Sequence, residues 1–220
     1  MIDLDPQGNA TSGFGIDKNE VENTSYELMI GSASLNDCIL EDVLPGLSVI
    51  PSNINLAAAE TELADTEEKE FILREELLEI KDNYDFVIID CPPSLNLLTI
   101  NALCAGDGIL IPIQCEYYAL EGLSQLMMTI NLVCERLNED LRIEGIIFTM
   151  YDNRTNLSSQ VAENVRENVE EYVFDTMIPR NVRLAEAPSF GMPIIEYDPK
   201  SSGAESYMKL AGELLQKGGD

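Results

Sequence analysis

A chain of 220 residues can bury one substantial core, and its 40 Asp and Glu against 13 Lys and Arg give a formal net charge of -27, which excludes a surface basic all over for gripping nucleic acid and leaves only a local patch for any polyanion contact. Five cysteines with no C-x-x-C pair exclude a disulfide framework or a zinc ribbon and read as small core residues in a reducing cytoplasm. Apolar runs stay far below the ~18 residues of a membrane span, and no basic-then-apolar leader opens the chain, so a cytoplasmic protein forming a single domain over residues 1–220 is expected.

The opening Met1-Ile2-Asp3-Leu4-Asp5-Pro6-Gln7-Gly8 is a strand-like fragment that ends in acids and a proline, with nothing leading into it. Each ordered residue costs ~1–2 kcal/mol of backbone entropy, so a lone terminal fragment is poorly held, and a start inside a longer reading frame is expected. Gly8, Gly13 and Gly15 make the next segment loop-like, and Gly13-Phe14-Gly15-Ile16-Asp17-Lys18 falls short of a G-x-G-x-x-G. Thr24–Met29 opens a short helix, Leu47–Pro51 reads as a brief buried strand, and Asn55–Leu63 is helical on its Leu and Ala content. Asp65 with Glu68 three residues on reads as a capped helix start, leading into an apolar stripe of Leu73, Leu77 and Ile80.

That helix feeds Tyr84-Asp85-Phe86-Val87-Ile88-Ile89-Asp90-Cys91-Pro92-Pro93-Ser94, where the unbroken apolar run predicts a strand buried on both faces of a parallel sheet. Asp90 stands at its carboxyl end, the edge where open α/β sheets bind ligands, and reads either as a metal or phosphate site or as a cap on the turn before Pro92. Ile109–Ile113 is the next buried strand. A long amphipathic helix runs from Leu120 to Leu137, with Met127 and Met128 as core filler, and Ile143–Met150 is a further strand. Ser158–Tyr172 follows as a helix with Val161, Val165 and Val169 at fourfold spacing, then a strand over Val173–Ile178 and a closing helix from Gly203 to Leu215 with Tyr207, Leu210 and Leu214 on one side. Strands alternate with helices, so the fold class is α/β: a doubly wound, mostly parallel sheet with helices on both faces.

Two strand ends thus carry acids in the same style, Asp3 and Asp5 at one and Asp90 at the other. Mg²⁺ prefers oxygen ligands and is usually shared between one or two carboxylates and substrate phosphates, so these strands suit a site where water attacks a phosphoryl group. A phosphate cradle is missing, because no G-x-x-x-x-G-K-[ST] occurs in the chain. One βαβ unit needs roughly 30 residues, and an absent first strand, loop and first helix upstream of Met1 supplies that length.

Asp3-Leu4-Asp5-Pro6-Gln7-Gly8-Asn9-Ala10-Thr11-Ser12-Gly13 resembles the second nucleotide motif of the ParA/Soj chromosome-partitioning ATPases, a branch of the deviant Walker P-loop ATPases that includes MinD, and Tyr84–Ser94 resembles their Walker B segment. The likeness continues through Gln114–Leu123, Arg154–Leu157, Ile178–Ser189 and Tyr197–Ala204. The resemblance implies a P-loop NTPase-like fold, ATP and Mg²⁺ as cofactors, Asp5 positioning the hydrolytic water, and Asp3 and Asp90 on the magnesium side. It also implies adenine near Met150 and the Pro179, Arg180 and Asn181 turn. A homodimer when ATP-bound, non-specific nucleoid DNA met by Arg154 and Arg183, and stimulation by a ParB/Spo0J-type partner follow from the same likeness. On the residues alone, either arginine is as easily a solvated or salt-bridged surface residue.

The family's Walker A loop lies before Met1, so the chain as it stands is expected neither to bind ATP tightly nor to form the nucleotide-sandwich dimer. A partner-binding relative that has lost ATP binding is the alternative from another class. A MinD-type membrane-cycling ATPase wants a basic amphipathic C-terminal helix, which Glu213–Asp220 is not, and an iron-sulfur relative wants a cysteine motif the chain lacks. With a strand missing beside Met1–Asp5, the 220-residue chain is expected to be poorly soluble or molten; a sharp, cooperative thermal transition contradicts that.

Overall fold

A two-residue strand persists only if its backbone groups find partners, and β1 (Ile2–Asp3) finds them on both sides. In a computed structural model that describes residues 1–116 and 119–217, the Ile2 amide donates to the Ile88 carbonyl at 2.8 Å, and Asp3 N–H donates to the Ile50 carbonyl at 3.0 Å. Tyr117 and Tyr118, inside the Gln114–Leu123 resemblance, and Gly218–Asp220, in the closing segment, lie outside the described residues. The chain forms two compact units, residues 1–106 with 132–139, and residues 107–131 with 140–220.

The first unit continues with α1 (Asn9–Gly13), α2 (Ser25–Met29) and α3 (Leu35–Cys38). Thr24 caps α2 through a capping box with Glu27, satisfying donors that a helix start leaves orphaned. A hairpin that the sequence pattern did not announce follows, β2 (Leu40–Leu44) antiparallel to β3 (Leu47–Val49), turning at Gly46 with φ 76°. Next come α4 (Leu56–Glu62) and α5 (Ile72–Leu77). The capped start expected at Asp65 is not formed: Glu68 sits in the left-handed region at φ 54° and a tight turn over Lys69–Phe71 intervenes, because a right-handed helix cannot run through such a residue. The stripe is nevertheless buried, with Leu73, Leu77 and Ile80 inside the core formed with Ile2, Leu4, Leu28, Leu56 and Leu98; each such side chain contributes ~1.5–3 kcal/mol of transfer free energy.

β4 (Ile89–Asp90) is much shorter than the apolar run before it suggested. It pairs in parallel with β1 in the register Ile2↔Ile89 and Asp3↔Asp90. Phe86 and Ile88 are 64% and 61% exposed, which corrects the expectation of a strand buried on both faces. Among the described residues β1 is its only ladder partner, and hydrophobicity alone cannot cover a strand face without a neighbour to pack on it. α6 (Leu97–Ala105), capped by Asn96, follows. The buried Asn101 side chain donates to the Lys69 and Leu97 carbonyls and accepts from the Leu73 amide, tying α6 to the start of α5.

In the second unit β5 (Gly108–Gln114) leads to α7 (Ala119–Arg136), whose last turns belong to the first unit, and then to β6 (Arg142–Thr149), parallel to β5. Ile111 and Ile113 are buried while Leu110 and Pro112 are exposed, so β5 is half-buried, where a fully buried strand was expected. α8 (Asn156–Asn168) stops before Val169, whose extended backbone ends the helix four residues short of the expected Tyr172. The Val173–Ile178 stretch is extended beside β6 through single bridges rather than as a ladder strand. α9 (Val182–Glu186), α10 (Ile194–Tyr197) and α11 (Ser202–Lys217) follow, and Leu184, Leu210 and Leu214 pack on Ile147, Phe174 and Ile178. Cys38, Cys91, Cys104 and Cys115 are free thiols, with Cys38, Cys104 and Cys115 buried.

Replacing Asn101 by Ala leaves the buried Leu73 amide and the part-buried Lys69 carbonyl without their side-chain partner. Urea unfolding should show a loss of about 2–3 kcal/mol, against less than about 0.5 kcal/mol for a surface change such as Glu79→Gln.

Candidate functional site

The parallel register of β1 and β4 places Asp3 directly across from Asp90, and neighbouring strands lie about 4.8 Å apart. Both chains then leave the sheet at the same edge, so the Asp5 turn and Asp90 share one end of the first unit. After β1 the backbone makes a turn in which Gly8 N–H donates to the Asp5 carbonyl at 2.9 Å, while Gln7 N–H donates to Asp5 Oδ1 at 2.9 Å. Gly8 has φ 59°, and a Cβ there would stand 2.7 Å from the Ser52 carbonyl oxygen. Only glycine meets both demands, which explains the D-P-Q-G spelling of the turn.

The three acids differ in what they have left to offer. Asp3 is fully buried; its Oδ2 accepts from the Thr11 amide at 2.8 Å and the Thr11 hydroxyl at 2.6 Å, and its Oδ1 accepts from the Asp5 amide at 3.2 Å. Asp5 is half-buried with Oδ1 engaged by Gln7 alone. Asp90 lies on the exposed side of its strand end, and its carboxylate has no hydrogen-bond partner among the described residues. Desolvation at the strand end, with Asp3 and then Asp5 adding repulsion, pushes the Asp90 carboxyl up to about 6. Burial, with Asp90 and Asp5 nearby, pushes the Cys91 thiol up to about 12, so it is protonated at neutral pH.

This donor set suits a hard divalent cation. Asp90 and Asp5 present carboxylate oxygens, and a cation would relieve the repulsion that lifts Asp90. Among the described residues no group of three or more His, Cys, Asp or Glu side chains forms a metal cage.

In the second unit Met150 follows the end of β6 at φ 53°. Tyr151 N–H donates to the Ile178 carbonyl at 3.1 Å and Arg180 N–H to the Tyr151 carbonyl at 2.9 Å, so Met150 and the Pro179–Asn181 turn are brought side by side. Asn181 is committed to structure: its Oδ1 caps α9 by accepting from the Arg183 amide at 2.7 Å, and its Nδ2 donates to Ser202 Oγ at 2.8 Å. Arg154 holds Asp152 through a two-pronged pair at 2.9 and 2.7 Å, which draws the Asp152 carboxyl down to about 2, yet its side chain stays 82% exposed. Arg183 pairs with Glu186 at 2.8 Å and Asp198 at 3.4 Å. The pairing of Thr11, Ser52, Asp152, Glu186 and Asp198 with the motif residues is set by folding; Thr11, Glu186 and Asp198 lie inside the resembling runs, whereas Ser52 and Asp152 carried no signal.

The AAA domain family model AAA_31 matches residues 1–143. The chain is 55% identical over 218 residues to the sporulation initiation inhibitor protein Soj of Bacillus subtilis, covering 99% of this chain and 86% of that one. It is 51% identical to the chromosome partitioning protein ParA of Myxococcus xanthus, covering 99% and 77%. Among solved structures, cobyrinic acid a,c-diamide synthase of Mycobacterium smegmatis with bound ADP and magnesium superposes with a TM-score of 0.84 at 34% identity, covering 98% of this chain and 80% of that one. The α/β architecture is therefore P-loop NTPase-like, with parallel strands and flanking helices. No helix among the described residues is long and apolar enough to cross a membrane.

Because the folded-state value of Asp90 lies above its ordinary 3.8, folding takes up a proton between about pH 4 and 6, and stability falls as pH rises through that window. Asp90→Asn should flatten this limb and raise the melting temperature at pH 7.5; solvent screening keeps the gain within about 1 kcal/mol. A variant that melts below the parent at pH 7.5 contradicts the repulsion.

Proposed function

Since this chain belongs to the ParA/Soj family of chromosome-partitioning ATPases, we propose that the protein hydrolyses ATP with magnesium at the Asp3, Asp5 and Asp90 edge and binds nucleoid DNA without sequence preference as an ATP-bound homodimer. A ParB/Spo0J-type protein is its stimulating partner. The observation that carries the reading is the Asp3↔Asp90 register, which brings the two acid-bearing motifs to one sheet edge where a nucleotide's phosphates belong.

Bound magnesium supplies neutralisation of the phosphate charge. The chain's own residues do the remainder. Asp90, with an unpartnered carboxylate, holds the cation, and Asp5, steadied by the Gln7 amide, orients the attacking water. Met150 and the Pro179, Arg180 and Asn181 turn seat the adenine, with backbone groups and apolar surface available once the Asn181 side chain is committed to its cap.

For DNA, Arg154 and Arg183 exchange their present carboxylate partners for phosphates. Exposed ion pairs contribute only ~0–1 kcal/mol each, so the exchange costs little, and a dimer presents the patch twice. A net charge of -27 makes that patch local and strongly salt-dependent.

The test is ATP turnover by the full-length gene product with double-stranded DNA and the N-terminal peptide of the ParB-type partner. DNA and peptide together should stimulate turnover, and Asp5→Ala should lower it at least 100-fold. Arg154→Ala and Arg183→Ala should each reduce the log-log salt slope of DNA binding by about 0.9 per phosphate lost. Absence of stimulation, with Asp5→Ala indistinguishable from the parent, overturns the reading.

A further inference from the structure

Asp3 was expected to share the magnesium, yet it is the acid with least to give. Its side chain is fully buried and both oxygens already accept from this chain, three donors in all. A carboxylate in that state is stabilised by its donors, and turning it toward a cation would strand the Thr11 hydroxyl and two amides inside the protein. Thr11 is the hub of the arrangement. Its hydroxyl donates to Asp3 Oδ2 and accepts from the Ser52 amide at 2.9 Å, so one buried side chain joins the β1 end, the start of α1 and the segment after β3. Between the two anchored points, Asp3 and Thr11, lies the turn that carries Asp5. The same turn is closed from the far side by the Ser52 carbonyl under Gly8 and by Lys18 Nζ donating to the Gln7 carbonyl at 2.6 Å.

We propose that Asp3 is a positioning residue rather than a metal ligand, and that it works through Thr11: the Asp3, Thr11 and Ser52 brace holds the turn that aims Asp5. This rests on the reading that Asp5 serves hydrolysis, but the brace itself is testable without nucleotide. Holding the cation is left to Asp90.

Three variants decide it. Thr11→Val keeps the shape and removes the hydroxyl; Thr11→Ser keeps the hydroxyl; Asp3→Asn keeps a single acceptor oxygen, leaves either the Thr11 donors or the Asp5 amide facing an N–H, and serves if the valine variant does not fold. Amide hydrogen exchange of the full chain at Asp5 and Gly8 should accelerate about tenfold in Thr11→Val and Asp3→Asn, stay within about twofold of the parent in Thr11→Ser, and leave Leu28 and Leu56 unchanged. In ATP turnover, Thr11→Val should lower kcat about tenfold with KM within about twofold, and Thr11→Ser should restore at least half of the loss. Equal behaviour of the valine and serine variants, acceleration spread over Leu28 and Leu56, or a raised KM with unchanged kcat overturns the proposal. A parent protein without turnover removes the functional reading alone, since the exchange pattern still decides the brace.

Discussion

A charged carboxylate with no access to water has to find donors inside the protein, and Asp3 imposes that demand on everything around it. Taking an ionised group out of water without partners costs several kcal/mol or more. The Asp5 amide and the Thr11 amide and hydroxyl meet the demand only if the chain turns sharply after Asp5, passes through a left-handed Gly8 and enters α1 at once. The turn must also lie against the segment after β3, because Thr11 takes the Ser52 amide. A two-residue strand, a five-residue helix and a coil segment, none of them stable alone, are thereby fixed as one element.

The same accounting separates the roles of the acids at this edge. The Asp3 oxygens are taken up by donors of the fold, whereas Asp5 and Asp90 keep unspent oxygens. Structural anchoring and chemical readiness are thus carried by different members of one motif. Desolvation, with repulsion from Asp3 and Asp5 added to it, lifts Asp90 and favours a cation beside it. In the second unit the pattern is inverted. Arg154 and Arg183 are each matched by carboxylates two or three residues away or on the following helix, which keeps the few cations ordered without burying them.

The alternation of short apolar runs with amphipathic stretches was enough to read the α/β class, the three longest helices and the strand-end acids, but not α6, and it read the α1 segment as a loop. Reading failed where a local rule met a tertiary one. The Asp65 cap was sound chemistry, but Glu68 is held in a left-handed conformation and the helix starts at Ile72. Phe86–Ile89 has the composition of a doubly covered strand, yet burial depends on neighbours, and Phe86 and Ile88 face solvent. The β2 and β3 hairpin escaped notice because Leu40–Leu44 carries Glu41 and Asp42 in mid-strand, with Asp42 at φ 52°. Asn101 was unreadable for a simpler reason: a polar residue in an apolar helix declares its partners only when α5 is in place.

By itself the sequence determined the chemistry available: oxygen ligands at two strand ends, a glycine where φ must be positive, a few arginines in a sea of acid, and motifs whose spelling assigns the family. These are properties of residue type and spacing along one chain, which short-range sterics and hydrogen bonding make legible. Only the tertiary structure decided which acid is spent and which is free. Asp3, Asp5 and Asp90 are the same residue type at similar strand ends, and what distinguishes them is how many donors the folded chain brings to each, a number that no single segment contains.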